Sequence, residues 1–139
     1  MKTTAQIMAI VIGGFLSIPW LTSRLHGDEK IEHTKDSLET VKKNLKEKKA
    51  VLLDVREKKE WDEGHLEHAV LVPLSKLKEG TDPKTLAKDL DPKAIVYCHC
   101  RAGARAITAA EILKKKGYDV RPLKQGYAEL LEGGLPKSK

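Results

Sequence analysis

Val96-Tyr97-Cys98-His99-Cys100-Arg101-Ala102-Gly103-Ala104-Arg105 runs from a strand-like apolar segment through a cysteine into small and cationic residues. An alanine-rich helical pattern follows at once. A sulfur at such a strand–loop–helix junction faces backbone N–H groups and a helix N-terminus, both of which favour thiolate over thiol. The stretch reads as a nucleophilic-cysteine loop suited to sulfur or phosphate chemistry.

The flanking pattern says where that loop sits. Val51-Leu52-Leu53-Asp54-Val55, Ala69-Val70-Leu71-Val72, Ala94 to Tyr97 and Tyr118 to Leu123 read as short strands, apolar enough to be covered on both faces. Leu38, Val41 and Leu45 form a helical stripe behind a capping box of Asp36 and Glu39. Trp61 to His68 reads as a short helix or turn broken at Gly64, and residues 83–90 begin with Pro83 after Asp82, as a capped helix does. Ala104 to Lys116 predicts a helix with Ile107, Ala110 and Leu113 inward, Lys114, Lys115 and Lys116 in its last turn and Gly117 beyond. Gly126 to Leu131 predicts a final short helix. This alternation implies an α/β domain, a mainly parallel sheet with helices on both faces. Ligands of such sheets bind at the carboxyl ends of the strands, where the loop after Tyr97 falls.

Composition narrows the function. The 139 residues suffice for one domain with a real core, and the net charge is +6. Lysine clusters at 42–49 and 114–116 have the spacing of solvated helix faces, which argues against a nucleic-acid surface. Two cysteines two residues apart exclude a disulfide framework. Residues 1–27 form a separate unit: Lys2, then an uncharged apolar run from Ile7 to Leu21, then Arg24 and a charged composition from Asp28 onward. That reads as a secretory signal of a periplasmic or secreted protein, with an uncleaved membrane anchor as the alternative, and leaves 28–139 as a single domain.

Leu52-Leu53-Asp54-Val55-Arg56 followed by Glu60-Trp61-Asp62-Glu63-Gly64-His65-Leu66 resembles the first signature of the rhodanese superfamily. Tyr97 through Arg105 resembles its active-site loop, and Gly126-Tyr127 with Gly134-Leu135-Pro136 its C-terminal signature. The resemblance spans residues 31–136 and implies a five-stranded parallel sheet flanked by helices. It implies Cys100 as the catalytic nucleophile, opening a six-residue loop of Arg101, Ala102, Gly103, Ala104 and Arg105. The activity implied is sulfurtransfer from thiosulfate or a related donor, through a Cys100 persulfide, to a thiol, cyanide or a protein cysteine, with no cofactor or metal. Arg101 and Arg105 would attract a dianionic donor; the loop amides would hold the charge on the terminal sulfur. Asp54 and Arg56 are expected to brace the loops, with His65 a hydrogen-bonded structural residue. The chain departs from the family pattern at Leu130, where an aromatic is usual, and at Ala106, where a serine is common.

Two other chemistries compete for the same residues. The run from His99 to Arg105 is similar to the cysteine-phosphatase loop with one residue removed. Four residues instead of five between cysteine and arginine suit a sulfur atom better than a tetrahedral phosphate. Cys98-His99-Cys100, with His65 or His68 nearby, forms a soft-metal or redox alternative, although strand alternation turns His99 away from both sulfurs. Cys98 itself reads as a small buried hydrophobe. A Cys98–Cys100 disulfide would close a strained ring and block the nucleophile.

Overall fold

The computed structural model describes residues 29–139, so the leader or anchor expected over 1–27 lies outside the described residues. Four strands form one parallel sheet: β1 (Ala50–Asp54), β2 (Val70–Leu71), β3 (Ile95–His99) and β4 (Asp119–Pro122), in the order β2-β1-β3-β4. The fold is the rhodanese-like α/β class, with four strands among the described residues instead of five. Beside β4 the segment 31–34 contributes a single backbone bond, Thr34 N–H to the Pro122 carbonyl at 2.8 Å. Pro122 has no N–H to return, so the ladder stops there.

Six helices cover the sheet: α1 (Leu38–Lys46), α2 (Lys58–Glu63), α3 (Leu74–Glu79), α4 (Pro83–Asp89), α5 (Ala104–Lys115) and α6 (Tyr127–Glu132). Strand alternation splits the interior into two apolar layers. On one face Leu52 and Tyr97 meet Val41 of α1 and Leu130 of α6. On the other, Leu53, Val96 and Cys98 meet Leu77, Leu86 and the small residues of α5. Cys100 belongs to this second layer.

Two local expectations are corrected. Ser37, not Asp36, caps α1, its Oγ accepting from Thr40 N–H at 3.2 Å. Asp36 is committed elsewhere: its carboxylate accepts from Tyr97 Oη–H at 2.6 Å and from Arg121 Nη1–H at 2.9 Å. In α5 the inward face is Ala106, Ala109, Ala110 and Leu113, whereas Ile107 is only half-buried. The helix is turned so that its alanines meet the sheet, which lets its backbone approach closely and draws its N-terminus down onto the end of β3. Helix α3, unassigned from sequence, starts after Pro73 and buries Leu74 and Leu77.

The loop after β3 owes its position to a backbone contact. A Cβ on Gly126 would lie 1.7 Å from the Arg101 carbonyl oxygen and 2.5 Å from its carbon. Gly126 has an unstrained φ of −84°, so space, not conformation, demands glycine. Gly126→Ala is expected to cost about 2–4 kcal/mol in urea denaturation. Gly80→Ala, at φ +94° with nothing within 4 Å, should cost about 1–2 kcal/mol from backbone strain alone. Equal losses at the two sites would overturn the packing argument.

Candidate active site

Strand β3 ends at His99, and Cys100 follows at the carboxyl edge of the sheet with 1% of its surface exposed. Gly103 N–H donates to Cys100 Sγ at 3.0 Å. Gly103, at φ +95°, is also the residue that caps α5. The chain therefore curls around the sulfur within four residues and passes directly into a helix, a turn that a left-handed glycine makes possible. From outside, Tyr127 N–H donates to the Cys100 carbonyl at 3.0 Å, while Gly126 presses on Arg101. One backbone amide, that of the residue capping α5, thus meets the sulfur at the start of a helix, an arrangement of the kind that favours negative charge.

The two loop arginines are placed differently. Arg105, in the first turn of α5, donates through Nη1 and Nη2 to the two carboxylate oxygens of Glu60, at 2.6 and 2.8 Å. Its guanidinium holds the Glu60 carboxyl down at about 2. Glu60 Oε2, the oxygen that Nη1 meets, also accepts from Glu57 N–H at the start of α2, so one carboxylate joins α2 to α5. Sequence reasoning favoured Arg105 for an incoming donor, with a surface or structural role as the alternative for either arginine; in the structure its guanidinium is paired with Glu60. Arg101 is exposed and has no ion pair among the described residues. Glu60 was missed as a site residue. It stands in the first signature and in the Glu57-x-x-Glu60 spacing of a helix start, and neither says anything about Arg105.

Asp54 and Arg56 make a buried bidentate pair, 0% and 4% exposed. Arg56 donates from Nε to Oδ1 at 3.0 Å and from Nη2 to Oδ2 at 2.8 Å, and its backbone N–H reaches Oδ1 at 2.9 Å. Its Nη2 also donates to the Gly64 carbonyl at 2.8 Å, and its guanidinium lies 4.2 Å from the Tyr127 ring centre. His65 sits apart from Cys100's hydrogen bonds: it stacks on Trp61 at 3.7 Å and donates from Nδ1 to the Trp61 carbonyl at 3.1 Å.

His99 is fully buried, with Nε2 3.7 Å from Asp54 Oδ2 and lacking a hydrogen-bond partner. Burial pushes its pKa below the ordinary 6.5, although Asp54 pulls the other way. Cys98 donates its S–H to the Ala106 carbonyl at 3.3 Å, and burial pushes its thiol up. Both cysteines are free thiols. Among the described residues, no three or more His, Cys, Asp or Glu side chains are grouped to hold a metal ion.

The chain matches the rhodanese-like domain family over residues 37–132 and belongs to it. Among solved structures it is similar to a rhodanese-related protein of Thermoplasma volcanium, with 26% identity and a TM-score of 0.59, covering 73% of this chain and 93% of that one. The human single-domain sulfurtransferase TSTD1 is similar at 25% identity and a TM-score of 0.61, covering 70% of this chain and 94% of that one. The tRNA uridine(34) hydroxylase of Chlamydia trachomatis is 38% identical over 76 residues, which is 53% of this chain and 23% of that protein. The uncharacterized protein YqhL of Bacillus subtilis is 36% identical over 93 residues, 66% of this chain and 68% of that one. The chain thus spans under a quarter of the hydroxylase it matches.

Two pH effects are expected. Because the fold depresses the His99 pKa, the unfolded chain binds the proton first on acidification. Stability therefore falls as pH drops below 6.5, and His99→Gln should flatten that slope in urea titrations between about pH 5 and 7; an unchanged slope would acquit His99. Glu60, depressed from 4.5 to about 2, contributes stability present above pH 4.5 and lost as pH falls towards 2. Glu60→Gln should remove that component below pH 4.5, and an acid titration identical to the parent's would count against the Arg105 pair.

Proposed function

We propose that this protein is an exported sulfurtransferase that carries sulfane sulfur on Cys100. The observation that carries the reading is the Cys100 sulfur held by Gly103 N–H at the mouth of α5. In the first step the Cys100 thiolate attacks the outer sulfur of thiosulfate or a related donor. The donor's S–S bond breaks, sulfite departs with the electron pair, and a Cys100 persulfide remains. In the second step an acceptor nucleophile, cyanide or a thiolate, attacks the terminal sulfur, and the Cys100 thiolate is regenerated. Electrons balance within the sulfur atoms, so no redox partner is required.

The surroundings support each step. A persulfide extends the side chain outward by about 2 Å, taking the transferable sulfur from a nearly closed position towards the acceptor. Its charge falls beside the Gly103 N–H at the start of α5. Arg101, the exposed cation of the loop, is suited to meet an anionic donor. Arg105 acts through structure, anchoring the first turn of α5 to Glu60. The apolar stretch 7–21 with Lys2 ahead of it supports export to the periplasm or beyond, the domain being released or left anchored. Among the described residues no helix is long and apolar enough to cross a membrane.

Intact mass of the reduced full-length chain before and after thiosulfate tests the reading. A gain of one sulfur atom is expected in the parent and in Cys98→Ser, is expected to vanish in Cys100→Ser, and should be erased by cyanide. Arg101→Ala should slow the gain by roughly tenfold and weaken its salt dependence. No gain from thiosulfate in any reduced sample would refute the donor assignment. A second reading rests on the 38% identity to tRNA uridine(34) hydroxylases, under which the domain would serve a reaction on tRNA. Saturable tRNA binding with no sulfur gain would favour it.

A further inference from the structure

His33 lies ahead of the family match, which begins at residue 37, yet it touches the cysteine loop. Its Nε2 is 3.1 Å from the Gly103 carbonyl oxygen. A carbonyl can only accept, so Nε2 carries the proton and donates. The contact is close-packed as well as polar: a Cβ on Gly103 would come within 2.9 Å of His33 Nε2 and 2.9 Å of the Lys124 carbonyl oxygen. Glycine at 103 therefore serves two needs, a left-handed turn and room for the imidazole. The segment bearing His33 is itself anchored. Ile31 packs against the α5-side core, and Thr34 N–H donates to the Pro122 carbonyl at 2.8 Å.

The position of this bond in the loop sets its consequence. In α1, α2, α3, α4 and α6 the carbonyl of the capping residue accepts a backbone N–H from four residues on: Ser37 from Val41, Glu57 from Trp61, Pro73 from Leu77, Asp82 from Leu86, Gly126 from Leu130. In α5 the corresponding carbonyl is that of Gly103, and it is met by a side chain 70 residues away. In a planar trans peptide the N–H points opposite the C=O. With the Gly103 oxygen held by His33, the Ala104 N–H lies on the far side of that peptide from the imidazole, and Gly103's own N–H meets Cys100 Sγ. The hydrogen bond also polarises that peptide and strengthens its N–H as a donor.

We propose that His33 is a positioning residue for the Cys100 reaction: by holding the Gly103 carbonyl it fixes the Gly103–Ala104 peptide at the start of α5 and, with it, the residue whose N–H meets the sulfur. The assignment rests on the sulfurtransferase reading for the step it serves, but the geometry bears on any reaction of the Cys100 thiolate.

The test compares His33→Ala and His33→Gln in the full-length Cys98→Ser chain. Glutamine retains a donor at a similar reach; alanine does not. Two rates are read at neutral pH: alkylation of Cys100 by iodoacetamide, which needs no sulfur donor, and persulfide formation from thiosulfate. His33→Ala should slow alkylation about threefold and persulfide formation about fivefold, and His33→Gln should restore both to within about twofold. Thermal melts accompany each variant. Should alanine loosen the fold, the glutamine variant decides: full melting temperature with slow rates would overturn the proposal. Parent-like rates in His33→Ala would overturn it too. If the parent alkylates normally but takes no sulfur from thiosulfate, the donor assignment fails, while the alkylation rates still decide the role of His33.

Discussion

The buried ion pair between Asp54 and Arg56 is the constraint on which the site depends. Asp54 ends β1, and Arg56 reaches from it to the Gly64 carbonyl and over the Tyr127 ring. The end of β1, the Gly64 turn and the sequence-distant Tyr127 are tied to one guanidinium. Tyr127, placed in this way, holds the Cys100 carbonyl with its own N–H. Removing either charge would leave the other buried and unpaired, a loss of about 3–5 kcal/mol in such settings. The pair is therefore a support for loop geometry and not a source of net stability, since two charges out of water begin with a large desolvation cost. His99 adds a second polar group beside Asp54, and burial holds its pKa below the ordinary histidine value.

Around that support the loop is shaped by contacts between backbones. Arg101 and Gly126 approach so closely that a methyl group cannot stand between them, and Gly103 is enclosed by His33 and Lys124. The sulfur is consequently met by the Gly103 N–H, a peptide dipole that does not titrate. Neither His65, stacked on Trp61, nor His99, on the opposite face of β3, donates to or accepts from Cys100 Sγ.

The cations divide their labour. Arg105 is neutralised by Glu60 and joins α2 to the first turn of α5. Arg101 projects from the loop without such a partner among the described residues. One short loop thus carries a paired and an exposed cation. A double substitution would confuse the two.

Much of this was legible in the chain before any coordinates. Short apolar runs separated by helical stripes determined the parallel α/β class, because strands covered on both faces leave that signature whatever the detailed packing. The spacing from Cys100 to Gly103 determined that a sulfur would meet a helix N-terminus, since local turn chemistry is written in adjacent residues. Tertiary structure alone decided the rest. Asp36 reads as a helix cap, yet Tyr97 and Arg121 claim its carboxylate from 61 and 85 residues away. Arg105 reads as a donor-binding cation, yet Glu60 claims it across 45 residues. Ile107 reads as core, yet the rotation of α5 against the sheet favours alanines. His33 carries no motif at all and reaches the loop only because its segment lies along β4. Local pattern fixes which elements form, because their causes lie within a few residues. Which charge meets which partner depends on where the packed elements bring distant side chains, and no spacing in the chain encodes that.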